Sequence, residues 1–513
     1  MVTTEWLDPE ARRRRLADPR HDIVHEHLVT EPADPAADGA EYVFEQRHGP
    51  FNQYRRTLRR TGGQWRETTV FSLALPWFGW AFAYPVRAAL GRRARSATSS
   101  WWLPPDVLST RQVLVLGLLA AASMSSAFVN TVFTQTVPFA ASDFDIDNRG
   151  IGIAGSVVRA GIVLSLPAAF LADRLGRRRI ITITAWAAPT ITALGAFAPD
   201  FTVLVATQAI GRPMGLALAF LVAVVAAEEM PRTCRAYAVS VMAMASGLGA
   251  GIAVMALPLA DLSDQAWRLV FLVSLIWLVV AVDISRRLPE TERFTQRSAT
   301  SIPLDRVRFI LLAIVAISAN LFVSPASFFQ NVYLRDLRGY SAALIAAFTL
   351  VTATPAALGL ILGGRLADER GRRRLIAITL PISTIFLVTA FSVPGSPMWI
   401  SAFVGGFLGS VAYPAMAVYR AELFPTGSRG KVAGILSAIA LLGGIIGLLA
   451  AGSLLDSGWG YGQVMGVLGL GQLITVVVIV AGYPETARRS LEDLNPSDPQ
   501  VRSAPRSGSG EPH

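Results

Sequence analysis

Between residues 112 and 482 the chain is laid out as a succession of uncharged apolar runs, each of about 20 residues, the length a helix needs to cross a bilayer. In lipid every backbone N–H and C=O must be bonded internally, so such runs have few folds open to them. The composition agrees, chiefly on the charged side. Hydrophobic residues make up 52% and charged residues only 16%, against about 25% charged in soluble domains, and the mean hydropathy is +0.45. A secreted soluble enzyme, a disordered scaffold and a cytosolic binding module are excluded.

The net charge of +10 does not point to nucleic acid, because the arginines sit in short clusters between apolar runs. Twelve candidate membrane helices fit between 112 and 482. With the N-terminus inside, the even-numbered connections carry Arg174, Arg177–Arg179, Arg232, Arg235, Arg286, Arg287, Arg370, Arg372–Arg374 and Arg429. The opposite loops carry only Arg149, Arg268, Arg335 and Arg338, amid six aspartates. Basic residues mark the cytoplasmic side, so both termini are expected there. A single cysteine, Cys234, and five histidines, all outside the apolar region, leave no disulfide and no metal-ligand spacing. No metal and no cofactor is expected.

Residues 1–66 mix acids with arginines and read as a cytoplasmic extension, partly disordered, with one short helix. Within residues 67–110, the stretch 68–86 is uncharged, but Pro76, Gly79 and Pro85 interrupt it and arginines flank both ends. It reads as an interfacial or re-entrant amphipathic segment, with a thirteenth crossing as the alternative. Two helical units at 111–287 and 305–483, a cytoplasmic linker at 288–304 and a disordered tail at 484–513 complete the chain.

The two helical units repeat each other. LADRLGRRR (171–179) returns as LADERGRRR (366–374), EEMPRTCRA (228–236) as ELFPTGSRG (422–430), LPET (288–291) as YPET (483–486), and Gly247/Gly251 as Gly443/Gly447. Four matches in one order, at offsets of 194 to 196, make the chain two homologous six-helix bundles. Transporters are commonly built from such repeats, with the solute site near the midplane where the halves meet.

These residues resemble the major facilitator superfamily. Gly364 through Arg373 is similar to its loop signature after helix 8, and Ala169 through Arg178 to the one after helix 2, with alanine for the usual leading glycine. The Glu-x-x-Pro-x-x-x-Arg and Pro-Glu-Thr stretches resemble the sugar-porter and metabolite–proton symporter branches. The resemblance covers about 112–490. It implies an all-α fold of two pseudo-symmetric six-helix bundles and secondary transport by alternating access. It also implies a charge network that closes one face, here Asp173, Arg177, Glu228 and Arg235 with Asp368, Arg372, Glu422 and Arg429. Exposed ion pairs contribute about 0–1 kcal/mol each, so such a latch has to act as a network. Helix 5 lacks the Gly-Pro dipeptide of drug antiporters, and helix 1 lacks the sugar-porter carboxylate.

Polar stripes mark the expected cavity, since amides facing lipid would go unsatisfied. Helix 1 offers Asn130, Thr134 and Gln135, and helix 7 offers Asn320, Ser324, Gln330 and Asn331. Tyr413 in helix 10 joins them. Arg159 and Arg212 stand deep within apolar runs, where each costs about 2.5–3.5 kcal/mol on insertion scales and so needs a partner. Arg212 resembles the helix-4 arginine of the family. Arginines without acids favour an organic anion, and with no acid or histidine mid-helix, proton symport through end carboxylates and uniport or exchange both stay open. The expected partners are a small-molecule solute, the bilayer and, for symport, protons; the working unit is a monomer. Rival readings are a sugar or polyol carrier, a drug-efflux antiporter and a non-transporting sensor. An enzyme would need a catalytic constellation, and none is found.

Overall fold

The computed structural model describes residues 2–6, 18–35, 37–62, 64–91, 103–104, 106–290, 306–423 and 429–486. Most of the expected linker and nearly all of the expected tail lie outside them.

The N-terminal extension differs from its sequence reading. Where one short helix and disorder were expected, five strands pair antiparallel: β1 (Val2–Trp6), β2 (His25–Thr30), β3 (Glu41–His48), β4 (Phe51–Thr61) and β5 (Gln64–Leu73), in the order β1-β5-β4-β3-β2. The strands alternate, but three of the inward positions, Glu26, Arg56 and Glu67, are charged. Tyr54, Arg56 and Leu58 of β4 and Trp65, Glu67 and Thr69 of β5 are buried, and the guanidinium of Arg56 pairs with Glu26 at 2.7 Å and Glu67 at 3.4 Å. It also lies 3.9 Å from the centre of the Phe44 ring. The Tyr54 hydroxyl donates to Glu26 at 2.6 Å, and burial together with that carboxylate pushes the phenol well above its usual range. A charge cluster satisfied in the core therefore hides the period-2 pattern from a polarity scan.

Residues 68–86 do not form a thirteenth crossing. The first part belongs to β5, and the rest enters helix α1, Gly79–Gly91. At 1.5 Å per residue that helix is about 20 Å long, too short for a core about 30 Å thick. Before it, Trp77 has φ 65°, and its indole N–H donates to Asp283 at 3.1 Å. This anchors the segment to the sixth span.

Eleven helices among the described residues are long and apolar enough to cross a membrane. Span 1 covers Thr110–Asp143, span 3 Arg177–Leu194, span 4 Phe201–Glu229, span 5 Arg235–Ala256, and span 6 Trp267–Arg287. Span 7 covers Arg306–Val332, span 9 Arg372–Ala390, span 10 Gly395–Glu422, span 11 Arg429–Asp456, and span 12 Tyr461–Gly482. Span 8 runs in two pieces, Ala342–Ala353 and Ala356–Arg370. Span 2 completes the twelve in three pieces: Asn148–Ala160, a tighter turn at Gly161–Ser165, and Leu166–Leu175. Prolines account for both interruptions, because Pro167 and Pro355 have no N–H to donate and crowd the preceding turn.

The packing of the halves corrects one detail of the repeat. A Cβ on Gly443 or Gly447 would fall 2.3 Å from the Ile317 carbonyl or 2.4 Å from that of Leu321, so span 11 packs on span 7 through these glycines. Gly247 and Gly251 have nothing within 4 Å of a Cβ; span 5 instead meets span 1 at Gly249, 2.1 Å from the Met124 carbonyl. Gly249 and Gly443 are the true equivalents, at offset 194.

Candidate transport site and its end seals

Arg159 closes the last turn of the first piece of span 2, and Arg212 lies eleven residues into span 4. Each is about 17 Å from the start of its helix, so the two share one depth. The guanidiniums lie within coulombic reach of one another, and among the described residues neither forms an ion pair. Arg159 Nη2 crosses to the other half and donates to Asn320 Oδ1 of span 7 at 3.1 Å. Asn320 in turn donates to the Ala316 carbonyl of its own helix at 3.0 Å. Gly444 makes the crossing sterically possible, since a Cβ there would lie 2.3 Å from Arg159 Nε and 2.6 Å from Ser324 Oγ. On the span 1 side, Ser126 donates to the Gly215 carbonyl at 2.7 Å, and Asn130 to the Ser126 carbonyl at 2.8 Å. Buried atoms without a hydrogen-bond partner among the described residues include Nε of Arg159 and Arg212, Oδ1 of Asn130 and Oγ of Ser324. Two cations with unspent donors amid small polar groups can take up an anion's oxygens.

The remaining stripe residues serve elsewhere. Asn331 donates across the halves to the carbonyl of Gln135 at 3.2 Å and to its side-chain oxygen at 2.8 Å. These two residues join the halves at the end opposite the arginine clusters, and Thr134 and Gln330, half-buried, flank them in sequence. At the same end Arg335 donates to the Pro138 carbonyl at 2.6 Å, and Asp261 accepts the N–H groups of Ala342 and Ala343 at 2.7 and 2.8 Å. A carboxylate of one half thus caps the helix of the other. Gly152 and Gly452 let spans 2 and 11 touch, a Cβ on Gly152 falling 2.6 Å from the Leu448 carbonyl. Tyr413 is 63% exposed, and no described hydrogen bond joins it to Arg159 or Asn320.

At the arginine-rich end the two halves are built alike. Gly176 and Gly371 take φ 96° and 95°, a conformation that favours glycine, and turn the chain into spans 3 and 9. The first N–H groups of those spans, on Arg177 and Arg178 and on Arg372 and Arg373, donate to Glu290 and Glu485 at 3.0 to 3.2 Å. These glutamates belong to the repeated Pro-Glu-Thr stretches, whose recurrence at offset 195 was the sequence signal for a role that composition alone does not reveal. Arg177 pairs with Glu228, and Arg372 donates to Thr486 at 2.7 Å. Both contacts stay within one half. The side chains of Asp173, Arg235, Asp368, Glu422 and Arg429 lie outside the described set. Sequence reasoning also missed Asp261 and Gly444, whose roles depend on which helices cross.

The Major Facilitator Superfamily model matches residues 119–354 and again 339–506. The chain is 25% identical over 346 residues to the cis,cis-muconate transport protein of Acinetobacter baylyi, covering 62% of this chain and 83% of that protein. It is 24% identical over 427 residues to the gallate transporter of Pseudomonas putida, covering 74% and 94%. Among solved structures, the inward-open xylose transporter XylE from E. coli superposes with a TM-score of 0.59 at 18% identity, over 75% of this chain and 98% of that one. With two matched halves, twelve spans and paired glycine-turn loops, the chain belongs to the Major Facilitator Superfamily: it is a multi-pass membrane transporter of an organic solute and not an enzyme.

Proposed function

We propose that the protein carries a small organic anion, of the carboxylate-metabolite class, by alternating access. One observation carries this reading: two arginines share the mid-depth of the N-terminal half with no carboxylate paired to either among the described residues. A cation held in hydrocarbon needs a counter-charge or polar partners, and an anionic solute supplies the charge that the protein does not. Relatives named for muconate and gallate transport support the same class. The described contacts between halves cluster at the end away from the arginine clusters, which fits a state open toward the cytoplasm with both termini on that side. Both halves of the site come from one chain, so the monomer is the unit of transport.

Counterflow into proteoliposomes tests the reading. Labelled benzoate, gallate or muconate should accumulate, while xylose should not, and Arg159→Ala should abolish the difference. Uptake of xylose with indifference to the acids overturns it. Faster uptake under an inward proton gradient assigns coupling to protons, and rates indifferent to the gradient assign exchange or uniport.

A further inference from the structure

The seam between the N-terminal sheet module and the membrane bundle encloses a cavity of about 250 Å³ that neither the sheet nor transport accounts for. We infer that it holds an acyl chain of a phospholipid from the leaflet adjoining the arginine-rich end, with the headgroup at the rim marked by Asp22 and Asp106.

Its axis is the first argument. Asp106 precedes the first turn of span 1, and Ala120, which also lines the cavity, is ten residues inside that helix, about 15 Å deeper at 1.5 Å per residue. On span 5 the lining runs from Tyr237 to Leu248, about 17 Å by the same rise. The space therefore runs along the helices from a polar rim into hydrocarbon depth, as a lipid does.

Its side opening is the second. Met244 and Leu248 line the cavity yet are 59% and 53% exposed, and on a spanning helix that exposed face meets lipid. The wall is thus continuous with the bilayer-facing surface. Chains can enter sideways without crossing water. An apolar space of this size is not favourable to water, and left without packing atoms its lining forfeits dispersion contacts.

Charge gives the third. Among the described residues lining the cavity, Asp22 and Asp106 are the only charged ones, and both belong to the rim. They suit an amine-bearing zwitterionic head and oppose an anionic one. Helix α1 places the rim at headgroup level. Its Trp80 and Tyr84, one turn apart, are 82% and 79% exposed, as expected of interfacial aromatics, while Val86 of the same helix turns inward to line the cavity.

The test uses the full chain purified in mild detergent, with bound lipid read by native mass spectrometry and thermal melting followed after delipidation. The native protein should retain one phospholipid, and added phosphatidylethanolamine should raise its Tm more than phosphatidylglycerol does. Ala120→Phe, which fills the deep end, should lose the retained lipid and at least half of that Tm shift while eluting as the same monodisperse species. Ala245→Leu serves the same purpose should Ala120→Phe not fold. Asp22→Asn with Asp106→Asn should narrow the headgroup preference without abolishing retention. Equal lipid retention and equal Tm shifts in native and cavity-filled proteins would overturn the proposal, as would a native protein that retains no lipid and melts unchanged in its presence. None of these readouts depends on the identity of the transported solute.

Discussion

The two six-span halves are nearly interchangeable at their arginine-rich ends and quite different at mid-depth. At the ends, Gly176 and Gly371, the glutamates Glu290 and Glu485, and the helix starts they cap match in geometry. At mid-depth the N-terminal half carries Arg159 and Arg212, whereas positions 194 residues later hold Ala353 and Gly406. The ends perform the same mechanical task twice, turning a chain sharply and anchoring the next helix, so symmetry suits them. A solute is not symmetric. On the proposed reading its charged group needs cations on one wall of the cavity only, and the second half contributes the neutral amide of Asn320 and the clearance at Gly444.

This contrast can be broken most severely at the arginines. Arg159→Ala and Arg212→Ala should each lower kcat/KM for organic-acid uptake by tenfold or more, a loss of at least about 1.4 kcal/mol in transition-state stabilisation. Arg159→Lys should recover only part of it, because a point charge replaces a fork that reaches Asn320. Equal losses from Ala353→Ser would show that the asymmetry carries no function.

Next in size come the glycine contacts inside each half. Gly249→Ala and Gly443→Ala each drive a Cβ into a backbone carbonyl and should destabilise by roughly 1–3 kcal/mol, lowering Tm in detergent by similar amounts in both halves. A loss in one half only would separate them mechanically as well as chemically.

Glu290→Gln and Glu485→Gln sharpen the symmetric side. Each keeps a hydrogen-bond acceptor but removes the charge that faces a helix N-terminus, so each should cost about 0.3–1 kcal/mol, and the two Tm changes should agree. Smallest in their effect on transport are Gly247→Ala and Gly406→Ala. A Cβ at Gly247 meets open space, and one at Gly406 comes no closer than 3.6 Å to another atom. Stability should rise by roughly 0.5–1 kcal/mol, with uptake unchanged within twofold.

Much of this was legible beforehand. Apolar runs gave the spans, the offset repeat gave two halves, and two arginines in otherwise apolar stretches stood out as the unusual charges. The sheet of residues 2–73 was not legible, because Arg56, Glu26 and Glu67 occupy core positions that a polarity scan assigns to solvent. Asn331 and Gln135 read as cavity residues from their helical spacing, and the fold bonds them to each other across the halves.

What the sequence determined by itself is whatever depends on neighbours along the chain: helix length against membrane thickness, the side on which arginines gather, and the repetition of turn-forming glycines. Tertiary structure alone decided which polar groups meet. The Arg159–Asn320 bond joins residues 161 positions apart, and the Asn331–Gln135 bond spans 196. Such pairings follow from how two bundles dock, through close approaches at Gly152, Gly444 and Gly452, and no local pattern encodes the docking angle. The same reason kept the seam beneath the N-terminal sheet out of view, since span 5, which completes its walls, lies far along the chain from the module and span 1.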